Sequence, residues 1–443
     1  MEQIVNEELR VKRNDRQPRT GLIAFASGMG YPFPMLMTVF DKSFIHGITT
    51  EEAAVFDVHF MSNLTPLFFV EVLADLEKSG MDERSRMGLV KDLASKTPCM
   101  QSYSNVPHAY LAIGDLVGHM VPMRGVPAVA EGRRVQSEEG LGTVYDTPPE
   151  LKAAHRWQEG RFGEEEYASA RQWREMLRQA PETIAEFLGG SPTRFTFRDL
   201  ERAKAYAENV IDGDGRRHRT LRSSLVALGV PQSMHAGVVT RWKAQGGPRL
   251  AEFAPYARHV LLVDLFRTLA MASGLMDPDK TSNFADVAYL YYLPFCQVFI
   301  SSDKLHRKCV PLFLRPDQQF VWGHDFRPHL KALTEEYLAH PDLQEQGLFK
   351  LSGRRHFPAG SFIGDMLERA GRKQRKHDED LASRLTPEAE RALVEKLKAA
   401  AKAPPPRVDA NLDEEDTNTT FERSVPRTRG RFPMMPRDLK TDS

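Results

Sequence analysis

Two short apolar runs in this chain each break off at an aspartate. Met35–Phe40 (MLMTVF) leads straight into Asp41, and QVFISS, from Gln297, leads into Asp303. Short, mostly apolar runs of this kind read as strands buried on both faces, as in a helix-covered parallel sheet. A carboxylate at the end of such a strand faces the crevice in which open α/β sheets hold their ligands. The neighbouring segments read as helices. TTEEAAVFDVHFMSNL opens with Thr49 and Thr50 as N-caps and acids in the first turn. TPLFFVEVLADLEKSG has Thr65 as cap, Pro66 at the first helical position and Gly80 as a stop. On that second helix Leu67, Val70, Leu73, Ala74 and Leu76 fall on one core-facing side.

With 443 residues the chain has room for two or three domains. Lys+Arg and Asp+Glu stand at 60 each, so no global field favours nucleic acid or membrane, and any nucleic-acid contact has to be local. The charged first 20 residues resemble no secretory signal, and three cysteines (Cys99, Cys296, Cys309) offer no disulfide framework. Both point to the cytoplasm. Gly21–Phe40 is apolar enough to suggest a membrane span, but Pro32, Pro34 and three glycines make it strand and loop instead.

Glu71 sits inside the apolar stretch LFFVEVLADL, where a carboxylate has to be paired, neutral or metal-bound. Asp286 is expected to open the helix DVAYLYYLPF, 17 residues before Asp303. Singly, Asp41, Glu71, Asp286 and Asp303 read as turn residues, caps or a solvent-facing acid. Crowded together they would repel one another, and a divalent cation with a taste for hard oxygen, Mg²⁺ or Mn²⁺, would relieve that repulsion.

In this order the four acids resemble the acidic set of PIN-domain nucleases. DVAYLYYLPFCQVFISSD resembles the family's last two acidic positions, with Ser301 in the place of the Ser/Thr two residues before the final Asp. TVFDKSFIHGI resembles the family's first strand, and LTPLFFVEVLADL the helix that contributes a Glu. The resemblance covers roughly residues 35–80 and 255–325. It implies a PIN-like α/β fold, a central parallel sheet flanked by helices, and an Mg²⁺- or Mn²⁺-dependent nuclease acting on RNA ahead of DNA. Asp41, Glu71, Asp286 and Asp303 would be its metal-binding and catalytic acids, with Ser301, Asn283 and Lys304 in support. The alternative it leaves open is a catalytically inactive PIN-like module that binds RNA or a protein partner. A protein partner or homo-oligomer is compatible with either.

The expected organisation is a flexible arm (1–20), a first PIN-like part (21–84), a large helical insertion (85–250), a second PIN-like part (251–330), C-terminal helices (331–403) and a disordered tail (404–443). Further candidates are the basic runs GDGRRHRTLR, GRRHF and GRKQRKH. His108 and His119 flank Asp115 without the spacing of a zinc motif, so a structural role is expected ahead of a zinc site. Trp322, His324 and Asp325 follow an expected strand VPLFLR, and Asp264 is a supporting acid able to pair with Arg258 or Arg267.

Overall fold

MLMTVF forms a strand, and its neighbours in the sheet decide where Asp41 ends up. The computed structural model describes residues 21–26, 36–129, 133–137, 140–145, 147–176, 196–213, 215–277, 282–340, 347–348, 361–369 and 419–434. Its strands are β1 (Gly21–Ala26), β2 (Leu36–Phe40), β3 (Phe60–Leu64), β4 (Ser102–Ser104), β5 (Arg133–Ser137), β6 (Gly140–Tyr145), β7 (Val298–Ser301), β8 (Gln319–Trp322), β9 (Thr419–Val425), β10 (Thr428–Arg429) and β11 (Phe432–Pro433). Five of them form a central sheet in the order β4-β3-β2-β7-β8, every neighbouring pair parallel. The chain therefore builds outward from β2 through β3 to β4, then returns to the other side of β2 as β7 and continues to β8. The order reverses between β2 and β7, where Phe40 lies beside Ile300. In sheets of this type that switch point opens the ligand crevice at the carboxyl ends of the strands.

The helices around the sheet start where their caps predict. Thr49 and Glu52 form a reciprocal capping box for the helix Thr50–His59. Thr65 caps the helix Pro66–Leu73, with Pro66 in its first turn. Under the sheet the rings of Phe40, Phe44, Phe56, Phe60 and Phe326 pack edge-on, tilted or stacked, with centroids 4.8 to 6.3 Å apart. Fully buried aromatic pairs of this kind add to the area term that holds helix to sheet. No helix among the described residues is long and apolar enough to cross a membrane.

Several expectations need correction. The helix from Thr50 stops at His59, and FMSNL passes directly into strand β3. Residues 85–250 are not wholly a helical block, because β4, the third strand of the main sheet, lies within them, as does the hairpin β5–β6. The described helices of that block are most of Glu83–Lys96, then His108–Val117 and those from Pro149 onward. VPLFLR is not a strand. Val310–Leu312 forms a tight helical turn, and the strand before His324 is Gln319–Trp322. Asp115, by contrast, has the structural role expected ahead of zinc: its Oδ2 accepts hydrogen bonds from the amides of Tyr256 (2.7 Å) and Ala257 (3.0 Å), capping the helix Pro255–Ala272.

The tail is likewise not disordered throughout. β9 joins β1, β6 and β5 in a second, four-stranded sheet, and β10–β11 form a hairpin. The hairpin carries Arg429, only 4% exposed, into a socket around the fully buried Asp57. Its guanidinium bonds Asp57 Oδ2 (2.8 Å) and the carbonyls of Ser95 (3.1 Å) and Thr97 (2.7 Å). Asp57 also accepts from the amides of Cys99, Met100 and Gln101, the residues that lead into β4. The expected arm 1–20, the basic runs GRRHF and GRKQRKH and the helix after Pro387 lie outside the described residues.

Candidate functional site

The switch point brings the carboxyl ends of β2 and β7 side by side. The backbone amide of Asp41 bonds the carbonyl of Ile300 at 3.3 Å. Neither Asp41 nor Asp303 runs out into solvent, because each caps a short helix. Asp41 Oδ1 accepts from the amide of Phe44 (3.0 Å) at the start of Lys42–Gly47. Asp303 Oδ1 accepts from the amides of Leu305 (2.6 Å) and His306 (3.3 Å) at the start of Lys304–Cys309. Capping explains both residues locally, yet it uses only one oxygen of each.

The second oxygen of Asp41 enters a buried network. Oδ2 accepts from Ser43 Oγ (2.6 Å) and Ser301 Oγ (2.7 Å), and His306 Nδ1 lies 3.3 Å away. Ser301 Oγ also accepts from the amide of Asp303 (2.9 Å) and lies 2.8 Å from His306 Nδ1. On the far side of the ring, Nε2 sits 2.6 Å from the carbonyl oxygen of Asp286. A carbonyl only accepts, so Nε2 carries a proton. Ser301 gives its proton to Asp41, so Nδ1 has to donate as well. The geometry therefore holds His306 as a buried imidazolium paired with the Asp41 carboxylate. The charges around it agree. Burial opposes the charge, but the bond and charge of Asp41, then the Asp286 carboxyl and carbonyl, raise the His306 pKa to about 9. Burial likewise pushes against Asp41, yet His306, Ser43 and Ser301 hold its carboxyl below the usual range.

The remaining two acids complete the cluster. Asp286 does not open its helix as expected. It lies inside Ser282–Ala288, and a tight helical turn, Tyr289–Phe295, follows. Its Oδ2 is buried with no hydrogen-bond partner among the described residues. Burial, and then the charges of Asp303, Glu71 and Asp41 against the opposing pull of His306, raise its pKa to about 7. Glu71 Oε2 accepts from Tyr289 Oη at 2.6 Å. Burial raises Glu71, more than Lys42 and Tyr289 lower it, and Asp41 adds to the rise. The four acids thus share one electrostatic site at the switch point. Ser301 is at its centre, whereas Asn283 donates to the carbonyl of Asp277 (2.9 Å) and Lys304 is exposed. Asp264 bonds Tyr291 and pairs with Arg267 at 3.2 Å, while Arg258 pairs with Asp212 instead. Asp325 is exposed.

His306 and Tyr289 are the residues that sequence reasoning passes over. The one local signal for His306 is its place three residues after Asp303, on the first turn of the helix that Asp303 caps. Among the described residues no group of three or more His, Cys, Asp or Glu side chains is already arranged to hold a metal ion. The donor chemistry nevertheless fits a hard cation. Asp286 Oδ2, Glu71 Oε1 and Asp303 Oδ2 are carboxylate oxygens without a hydrogen-bond donor among the described residues. Asp41, by contrast, is already saturated by four donors.

The His306 pair gives stability a pH dependence with a definite sign. Its folded pKa is raised from 6.5 to about 9, so its contribution is complete below about pH 6.5 and is lost as pH rises through 9. Roughly 3 kcal/mol is at stake. Thermal melts between pH 6 and 9.5 are expected to fall over that window, and His306→Gln is expected to flatten the fall. An equally steep fall in the variant would remove His306 as its source.

No family model, no curated protein and no solved structure matches the chain.

Proposed function

We propose that this chain is a metal-dependent nuclease of PIN-like architecture that hydrolyses phosphodiester bonds through an acidic Mg²⁺ or Mn²⁺ site, in RNA ahead of DNA. One observation carries the reading: Asp41, Glu71, Asp286 and Asp303 are electrostatically coupled around the switch point of a β4-β3-β2-β7-β8 parallel sheet, and Asp286 Oδ2 is buried with no hydrogen-bond partner among the described residues. Glu71, Asp286 and Asp303 supply the open oxygens. Asp41, tied to His306 and Ser301, fixes the ends of β2 and β7 against each other. When bound, the cation offers the positive charge that favours ionisation of a water and offsets charge growing on the phosphodiester. A pKa near 7 lets Asp286 give up its proton to take a cation at neutral pH.

The buried imidazolium favours a second reading, a non-catalytic PIN-like module that binds RNA or a protein partner. A positive charge is already in place beside Asp41, so that part of the cluster is neutralised without metal. The two readings part on metal uptake and cleavage. The purified protein is expected to cut single-stranded RNA in Mn²⁺ and not in EDTA, and Asp303→Asn to abolish cutting while leaving the melting temperature within a few degrees. Titration calorimetry with no Mn²⁺ uptake, together with no cleavage, would leave the binding module as the function.

A further inference from the structure

Immediately beyond Asp303 the helix Lys304–Cys309 carries Lys304, Arg307 and Lys308, spaced i, i+3 and i+4. That spacing places the three cations on one face. All three are exposed, and none forms an ion pair with a carboxylate among the described residues. Clustered like charges on one face repel each other, which costs stability unless something anionic covers them. Lys42 and Arg327, by contrast, are paired, with Asp75 and Glu52.

An aromatic surface adjoins this face. Trp322, the last residue of the edge strand β8, stands in register beside Ser301 of β7. One strand spacing of about 4.8 Å therefore separates it from the acid site. The guanidinium of Arg307 lies over its ring, 5.1 Å from the centroid, and the exposed His324 sits 5.2 Å away. Asp303 caps the helix that carries the three cations, and Arg307 ties that helix to the half-exposed indole of Trp322.

We infer that this strip, Lys304, Arg307, Lys308 and Trp322, is the track for a single-stranded nucleic acid, with phosphates on the cations and a base against Trp322. The inference deepens the nuclease reading and takes its choice of ligand from it. Phosphates neutralise the unpaired cations, and every base offers a π-face to an aromatic side chain. A duplex fits less well, because its base faces are already stacked. A chain with balanced total charge has to concentrate such affinity locally, and this is where unpaired positive charge adjoins the acidic site.

The test reads binding, not cutting. Full-length protein is titrated in EDTA against a 5′-fluorescein 12-nucleotide oligo(U), by anisotropy at several KCl concentrations. Arg307→Ala/Lys308→Ala is expected to reduce the slope of log K against log salt by about 1.4, at about 0.7 per phosphate contact. Trp322→Ala is expected to weaken binding roughly tenfold with the slope unchanged, the mark of a lost stacking contact. Melting temperatures of both variants check that the fold is retained. Oligo(dT) is expected to show the same two dependences, because both contacts are common to RNA and DNA. Wild-type binding by both folded variants would overturn the proposal, as would displacement by an RNA duplex or by polyglutamate as effective as by oligo(U). Binding through the strip without any Mn²⁺-dependent cleavage removes the nuclease reading alone. Cleavage with binding indifferent to these residues removes the strip alone.

Discussion

Arg429→Ala is expected to lower the free energy of unfolding by about 3–5 kcal/mol. The residue lies near the end of a segment whose composition reads as disordered, yet its guanidinium is buried against Asp57 and two carbonyls. Truncating it leaves the Asp57 carboxylate buried, with the amides of Cys99, Met100 and Gln101 and no cation. Two carbonyls lose their donor as well. The damage is transmitted to the sheet, because those amides lead directly into β4. Arg431→Ala on the same hairpin is the internal control. Arg431 pairs with Glu51 at 3.5 Å on the surface, an interaction worth no more than about 1 kcal/mol. Urea unfolding followed by circular dichroism compares the two. A loss at Arg429 no larger than that at Arg431 would mean that the hairpin adds nothing to the fold.

The same hairpin shows what was legible in the sequence and what was not. Features with local causes were readable. Thr49 with Glu52, and Thr65 with Pro66, announce helix starts because cap and helix are neighbours in the chain. Asp41 and Asp303 were found because each ends a buried strand, and their meeting follows once those two strands are adjacent. Helix ends inside the core were not readable. Ala53 to Val58 are all buried, so neither period 3.6 nor period 2 marks the change from helix to strand at Phe60. The strand β4 is three residues, Ser-Tyr-Ser, and carries no apolar run at all. Arg429 owes its burial to a partner 372 positions away, and no local signal can announce that. His306 falls in between. Its spacing from Asp303 was visible, but its charge is fixed by Asp41 and by the Asp286 carbonyl, which only the fold brings to it.

Asp286→Asn is expected to separate stability from activity. The Asp286 carboxyl is held at about 7 by burial and by three neighbouring acids, against 3.8 in a free chain, so the folded state resists its ionisation. The sign follows from linkage: stability is greatest where the group is protonated and is lost as pH rises from about 4 through 7. An amide has the shape of the protonated acid and never ionises. The variant is therefore expected to melt at a higher temperature than the wild type above pH 7 and to match it near pH 4. Its metal uptake moves the other way. Outer-shell changes at metal sites already cost about 10–100-fold in affinity or activity, and loss of a carboxylate ligand is expected to cost at least about 100-fold in Mn²⁺-dependent cleavage. Mn²⁺ is also expected to raise the wild-type melting temperature more at pH 8 than at pH 6, because the ligand must be deprotonated to bind, and this difference is expected to vanish in the variant. A variant that is more stable and binds Mn²⁺ as the wild type does would leave Asp286 a strained buried acid with no part in metal binding. One that is less stable at pH 8 would show that its unpartnered oxygen is satisfied in solution, and the observation behind the proposed site would fall.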